Sequence, residues 1–428
     1  MTSTTDARLS GWARSVGVLP GEAAAVAVSF AYFFCVLASY YMLRPLRDQF
    51  SAVVGSTNLW QFWTGTFVAT LLLTPVFGWL VARYPRERFL PAVYGFFILC
   101  LLAFVPAFRA QEEIGARLLG IVFYIWVSVF NLFVVSVFWS FMADIYDRVQ
   151  SRRLFPVIAL GGTAGAITGP LVARALPVES LLFAAALMLT IVIVCASWLS
   201  GWARRNPIAD RQGGRIRGDA IGGDVFAGLK QTFSSPFLRK MAALMLLGDA
   251  VGTIAYALVA DYAGAHYADR EARKNFYTQI DLITNILQAL MQVSVTRLLL
   301  TRLGTGVGLV VPAAMNVLVL VVGAMVGAPA VVAMLVITRA GAYGMFKPAS
   351  DSLYTQVSRE ARYKGKNVID TAVWRFGDVL VSGTMALVTP LGVGIAGFAL
   401  AAAGAAGLSG LFGWRAAKMV EPSANPEP

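Results

Sequence analysis

The sequence predicts an all-α integral membrane protein: twelve transmembrane helices in two six-helix bundles, with both termini in the cytoplasm. Three observations carry this expectation. Of 428 residues, 58% are hydrophobic and only 14% charged, and the mean hydropathy is +0.68, whereas a soluble domain carries about 25% charged residues. So little charge cannot cover a water-facing surface. Apolar stretches of membrane-spanning length recur along the whole chain, and Lys and Arg gather in alternate connections between them.

Crossing the hydrocarbon core takes about 20 apolar residues in a helix. In order, the stretches are 24–46, 59–82, 90–108, 117–142, 154–175 and 180–202, then 237–262, 275–300, 305–326, 328–347, 368–390 and 392–413. They divide the chain into an N-terminal half (1–202), a cytoplasmic linker (203–236) and a C-terminal half with its tail (237–428). The polar segment Met1–Glu22 has neither the short apolar run nor the small-residue cleavage site of a secretory signal. The first stretch is therefore expected to remain as a membrane helix. The linker reads RRNPIADRQGGRIRGDAIGGD, a Gly-, Arg- and Asp-rich composition suited to a mobile connection.

Orientation follows from the positive-inside rule. Arg8, Arg14, Arg83, Arg86, Arg88, Arg148, Arg152, Arg153 and the basic residues of the linker fall on one side, joined by Arg297, Arg302, Lys347, Arg359, Arg362, Lys364 and Lys366. Topology thus accounts for the net charge of +12, and no nucleic-acid partner is expected. The lone histidine is His266, and Cys35, Cys100 and Cys195 lie within apolar runs, so neither a metal site nor a disulfide framework is expected. No cofactor is expected either. With no nucleophile–base pair and no phosphate-binding loop, the chain does not read as an enzyme.

Charge inside a span is costly and turns toward protein or a watery cavity. Spans 3, 6, 9 and 12 have uncharged interiors, which suits bundles whose every third helix lies outside. Span 1 ends in Arg44, Arg47 and Asp48, and span 4 carries Asn131 near mid-depth. Asp249, Thr253 and Tyr256 align in span 7, and Asp281, Asn285, Gln288 and Gln292 form one stripe in span 8. Arg339, Tyr343 and Lys347 align at i, i+4, i+8 in span 10; Thr371, Arg375 and Asp378 share a face of span 11. Two readings stand side by side: interhelical hydrogen bonding and ion pairing, or the lining of a hydrated path. Arg44, Arg47, Asn131, Asn285, Gln288, Arg339, Tyr343, Lys347 and Arg375 are the candidate substrate-binding residues. Asp48, Asp249, Asp281 and Asp378 are the candidate coupling or ion-pair residues.

Gly161, Gly165 and Gly169 recur every fourth residue in span 5, presenting a face for close helix approach. Gly165-Ala-Ile-Thr-Gly169-Pro170 partly resembles the span-5 glycine motif of major facilitator antiporters. Gly78-Trp-Leu-Val-Ala-Arg83-Tyr-Pro-Arg86-Glu-Arg88 resembles the signature loop of that superfamily, with Ala82 at its aspartate and Pro85 at its glycine.

Longer stretches resemble the bacterial and plastid ATP:ADP antiporter family, a distant branch with the major facilitator fold. Tyr40-Tyr-Met-Leu-Arg44-Pro-Leu-Arg47-Asp48 is similar to the family's L-R-x-L-K-D, and Phe123-Tyr124 through Ser136-Val-Phe138-Trp139 to its F-Y…S-x-x-F-W. Tyr363-Lys364-Gly-Lys366-Asn-Val-Ile-Asp370…Arg375-Phe-Gly377 is similar to K-x-K-x-x-x-D…R-x-G. The family's fourth-span glutamate falls at Val127 or Ser128, its seventh-span glutamate near Ala260 or Asp261, and its span-11 lysine is replaced by Asp378. The resemblance implies a monomeric exchanger of the bacterial inner membrane. Its substrate would be a small anionic solute, nucleotide-like or otherwise phosphorylated or carboxylated, moved by alternating access. The alternative is a proton-coupled major facilitator exporter of hydrophobic compounds.

Overall fold

The computed structural model describes residues 18–19, 21–84, 86–206, 232–296, 298–354 and 365–420. Everything described is helix or short connection, the all-α membrane architecture that the composition predicts. The helices are α1 (Ala23–Val54), α2 (Leu59–Arg83), α3 (Arg86–Arg109), α4 (Ala116–Ile145), α5 (Arg148–Ala175), α6 (Val178–Arg205), α7 (Pro236–His266), α8 (Arg270–Met291) and α9 (Gly304–Val326). Helix α10 begins as Val331–Gly341 and widens into a π turn, Ala342–Phe346, before Lys347–Leu353. Another π turn, Ile369–Val373, leads into α11 (Trp374–Val388), α12 is Ile395–Val420, and two more π turns, Gln292–Thr296 and Leu299–Leu303, lie between α8 and α9.

Among the described residues, nine segments are long and apolar enough to cross a membrane, and one of them, Arg270–Val326, contains both α8 and α9. Most of the expected linker lies outside the described residues, as do Arg8, Arg14, Arg359, Arg362, Tyr363, Lys364, Pro85 and Arg297. Helix α1 runs past its predicted end at 46 because the polar residues there are buried by protein: Asp48 is 1% exposed and Gln49 2%.

The chain forms two compact units, Met1–Arg47 with Val76–Gly218, and Asp48–Pro75 with Asp219–Pro428. Helices α1 and α2 thus each contribute to both, and Pro45 and Pro75 lie inside them beside the points of division.

In the first unit, the glycine face of α5 meets α1. A Cβ on Gly161 would collide with the backbone of Phe30, and one on Gly165 with the carbonyl of Phe34 and the amide of Ala38. One on Gly169 would lie 2.6 Å from the Tyr41 Cβ. The start of α5 has a capping box: the Gln150 N–H donates to Asp147 Oδ1 at 2.7 Å and the Asp147 N–H to Gln150 Oε1 at 3.0 Å. The same turn clasps the start of α1. Arg153 binds both oxygens of Glu22 at 2.8 Å, Gln150 Nε2 donates to Glu22 Oε1 at 3.1 Å, and the Leu19 N–H donates to Oε2 at 3.1 Å. Elsewhere in this unit aromatic rings on α3 and α4 interlock, as in the 5.1 Å Phe97–Phe130 and 5.0 Å Phe104–Phe123 pairs.

In the second unit, α12 packs on α9 and α7 through small residues. A Cβ on Gly410 would come within 2.7 Å of the Ala313 Cβ, and one on Gly413 within 3.1 Å of Leu244 and Leu309. Helix α7 begins on the Ser235 cap with Pro236 in its first turn, where proline forfeits no hydrogen bond. Asp261 accepts the Ser56 N–H at 2.7 Å, next to Gly55, whose φ of 70° suits glycine. The acid near the family's seventh-span glutamate position therefore holds the connection between α1 and α2.

Two expectations follow. Gly165→Ala should lower thermal stability in detergent by about 1–3 kcal/mol, the usual cost of overpacking, because backbone cannot yield as a side chain can. Gly201→Ala, with nothing within 4 Å of its Cβ, should not; equal melting of the two variants would refute the close-packing account. Burial pushes the Glu22 carboxyl up, but its bonds from Arg153, Leu19 and Gln150 outweigh burial and hold it below the usual glutamate value. Its stabilising contribution is therefore complete above about pH 4.3 and is lost as pH falls through the lower folded value. Melting curves should show this acid-side loss, and Glu22→Gln should flatten it.

Candidate functional site

The candidate residues are divided between the two units. In the first unit, α1 carries Arg44 and Arg47. The Arg47 guanidinium lies 4.8 Å from the centroid of the Tyr124 ring, and its Nη1 donates to Ser128 Oγ at 3.4 Å. Tyr124 and Ser128 stand one turn apart on α4, joined by the Ser128 hydroxyl donating to the Tyr124 carbonyl at 2.8 Å. Arg44 is 7% exposed and lies 5.5 Å from the Tyr41 ring centroid. Stacking on an aromatic face stabilises a guanidinium where water is scarce. Asn131 is half-buried two turns along α4.

In the second unit, buried polar side chains form a chain of contacts. The Tyr256 hydroxyl donates to Asp48 Oδ1 at 3.0 Å, and its ring lies 5.7 Å from the Arg339 guanidinium. Arg339 Nη1 lies 3.5 Å from Asp281 Oδ1. Asp48 and Asp281 are each 1% exposed, so both depend on protein partners. Asn285 is buried one turn beyond Asp281, while Gln288 is half-buried. Ser51 and Tyr277, their hydroxyls 2.9 Å apart, tie α1 to α8.

One turn before Tyr256 on α7, Thr253 donates to Asp378 Oδ1 at 2.9 Å, and Arg375 Nη1 reaches Asp378 Oδ2 at 3.4 Å. Asp249, a further turn back, faces Asp378, Arg375 and Trp374. A Cβ on Gly377 would sit 2.8 Å from Asp249 Oδ2. The α7 stripe read from sequence is therefore spent on bonds to α1 and α11.

Lys347 joins a third cluster at the start of α11. Its Nζ lies 2.9 Å from Asp370 and 3.2 Å from Asp351; Lys366 is paired with the same two acids. Burial alone would lower the Lys366 ammonium, but Asp370 and Asp351 outweigh it and hold it above the ordinary lysine value. The i, i+4 spacings of Lys347–Asp351 and Lys366–Asp370 made these pairs readable in the sequence, though of the four only Lys347 is singled out there as a candidate site residue.

The π turns alter two expected alignments. Between Arg339 and Lys347, the wide turn Ala342–Phe346 breaks the i, i+4, i+8 register, leaving Tyr343 41% exposed. A π turn leaves carbonyls without their usual amides, and the segment that follows α8, Gln292–Thr296, supplies substitutes here. Gln292 Nε2 donates to the Tyr343 carbonyl at 3.1 Å and Thr296 Oγ1 to that of Gly344 at 2.6 Å. Gln292 thus completes a helix–helix contact beyond the end of α8. On α11 the Thr371 side chain lies outside the described residues. Among the described residues, no group of three or more His, Cys, Asp or Glu is placed to hold a metal ion.

Solved structures share this architecture. The nucleoside transporter NupG superposes with a TM-score of 0.57 at 16% identity, covering 95% of this chain and all of that one. A bacterial homologue of the iron transporter ferroportin, inward-facing, gives 0.60 at 15% identity, covering 92% and 99%. The human organic anion transporter MFSD10 gives 0.58 at 14%, covering 92% and 100%. The chain has the major facilitator fold and is a multi-pass membrane protein. No family model matches the sequence, and no curated protein does.

If Asp378 balances Arg375, Arg375→Ala should cost stability by removing the cation beside a buried acid, about 1–3 kcal/mol. The double variant Arg375→Ala/Asp378→Asn should recover most of that loss in thermal unfolding. Additive losses would mean the two side chains act independently.

Proposed function

We propose that the protein is a secondary transporter of the bacterial inner membrane that exchanges small anionic solutes, nucleotide-like or otherwise phosphorylated or carboxylated, by alternating access. The observation that carries this reading is Arg47. A guanidinium fixed inside a membrane helix by the Tyr124 ring and the Ser128 hydroxyl is a preorganised receptor for phosphate or carboxylate oxygens. The resemblance to ATP:ADP antiporters supports exchange and a nucleotide-like solute. In that family an acid occupies the fourth-span position that falls here at Val127 or Ser128, and here Arg47 meets a hydroxyl. Two structural neighbours, a nucleoside transporter and an organic anion transporter, are in keeping with an anionic, nucleoside-containing class of solute.

The same reading assigns Arg339 and Arg375 to solute orientation and treats 1–202 and 237–428 as the two six-helix halves, linked by 203–236, of a monomer. Inverted or repeated halves that rock about a midplane site are the usual construction of such carriers.

The test is uptake into proteoliposomes of radiolabelled ATP, sugar phosphates and dicarboxylates, with and without internal counter-solute. Uptake of one of these should require the counter-solute. Arg47→Ala should reduce it at least tenfold, and Arg47→Lys should restore little because the planar fork is lost. Unchanged uptake by Arg47→Ala would remove the arginine from the site. Accumulation in empty vesicles driven by pH alone would overturn exchange.

A further inference from the structure

We infer that Asp249 and Asp378 form a proton-binding site between α7 and α11, whatever solute is carried. Asp249 interacts electrostatically with Asp378 and Arg375 of α11 and hydrogen-bonds the Trp374 side chain, and its Oδ2 lies against Gly377, the residue before Asp378. Beside Asp249, the atoms nearest a Cβ on Gly248 come from Phe346 of α10 and Ser409 of α12, and Ser409 donates to the Leu244 carbonyl. Arg339 of α10 is engaged with Asp281. Two carboxylates therefore share one guanidinium, and that guanidinium lies 3.4 Å from Asp378.

Asp249 Oδ2 is shut off from solvent and has no hydrogen-bond partner. An ionised carboxylate there gives up hydration at that oxygen, a cost that Arg375 and the Trp374 indole offset only in part, and like charges sharing a site cannot both remain ionised cheaply. One proton removes the excess charge, and it converts an acceptor-only oxygen into a donor facing a second carboxylate. The backbone is shaped to keep the carboxyl there: a side chain at 377 would have its Cβ 2.8 Å from Asp249 Oδ2, so glycine is what admits it. Arg375 on Asp378 opposes any added positive charge, but with two carboxylates against one guanidinium one negative charge remains to be neutralised; a proton or a sodium ion could do so, and the experiment distinguishes them.

The experiment counts protons and needs no transported solute, so its failure and that of the exchange reading are distinguishable. Purified full-length protein in weakly buffered detergent is titrated with acid from about pH 8 to pH 4, a window spanning the ordinary and raised carboxyl ranges, with a soluble pH indicator as readout. Asp249→Asn should bind about one proton fewer than wild type. Asp378→Asn should show the same loss although Asp249 is intact, because Arg375 then balances the single remaining acid. Wild-type proton uptake by Asp249→Asn overturns the site, and loss in Asp249→Asn alone overturns the sharing. Sodium chloride in place of choline chloride should leave the count unchanged; protons displaced by sodium in wild type but not in Asp249→Asn would assign the site to a metal ion instead. Should Asp249→Asn fail to fold, Asp378→Asn carries the test by itself.

Discussion

A charged side chain on a membrane-spanning helix has to find its partners inside the protein, because lipid offers none. Much of this structure can be derived from that requirement. Asp48 and Asp281 are almost completely enclosed, and each is reached by a donor or cation from another helix: Tyr256 for one, Arg339 for the other. Since Tyr256 also lies under Arg339, three helices are held in register by one tyrosine. An apolar replacement of the whole chain of contacts could be as stable; what the polar version adds is a single defined arrangement of those helices.

Close helix approach is the second ingredient. The α5 glycines bring backbone against the backbone of α1 at Phe30, Phe34 and Ala38, and that seating positions the helix that bears Arg44 and Arg47. Small residues of α12 do the equivalent for α9 and α7. In both units, residues with no side-chain chemistry of their own set where the chemistry sits.

The π turns connect packing to the site. Those of α10 and α11 lie next to charged residues, Arg339 before one and Arg375 after the other. Widening a helix exposes carbonyls that must be satisfied elsewhere, and at the α10 turn the segment after α8 answers with Gln292 and Thr296. Gly344 lets α8 come close enough to do so, its Cβ position being 3.1 Å from Met291.

Some of this was legible without coordinates. Composition and span length determined the all-α membrane class, since the requirement to hide backbone from lipid admits few other forms. The four-residue glycine spacing of α5 announced a close contact, and the three-residue spacing of Arg375 and Asp378 brought them within 3.4 Å, because both follow from helix geometry alone. The partners of these faces were not legible. Nothing local links Asp48 to Tyr256, Arg153 to Glu22 or Asp378 to Thr253; each pair is more than a hundred residues apart in the chain, and only the packing of helices selects among the many polar residues of similar depth. The π turns were hidden for a related reason. A continuous 3.6-residue period was the natural reading of Arg339, Tyr343 and Lys347, and the wider turn survives because Gln292 and Thr296, on a separate helix, bind the carbonyls it releases. Periodicity belongs to the sequence; the choice of partner, and with it the charge balance at each buried acid, belongs to the tertiary structure.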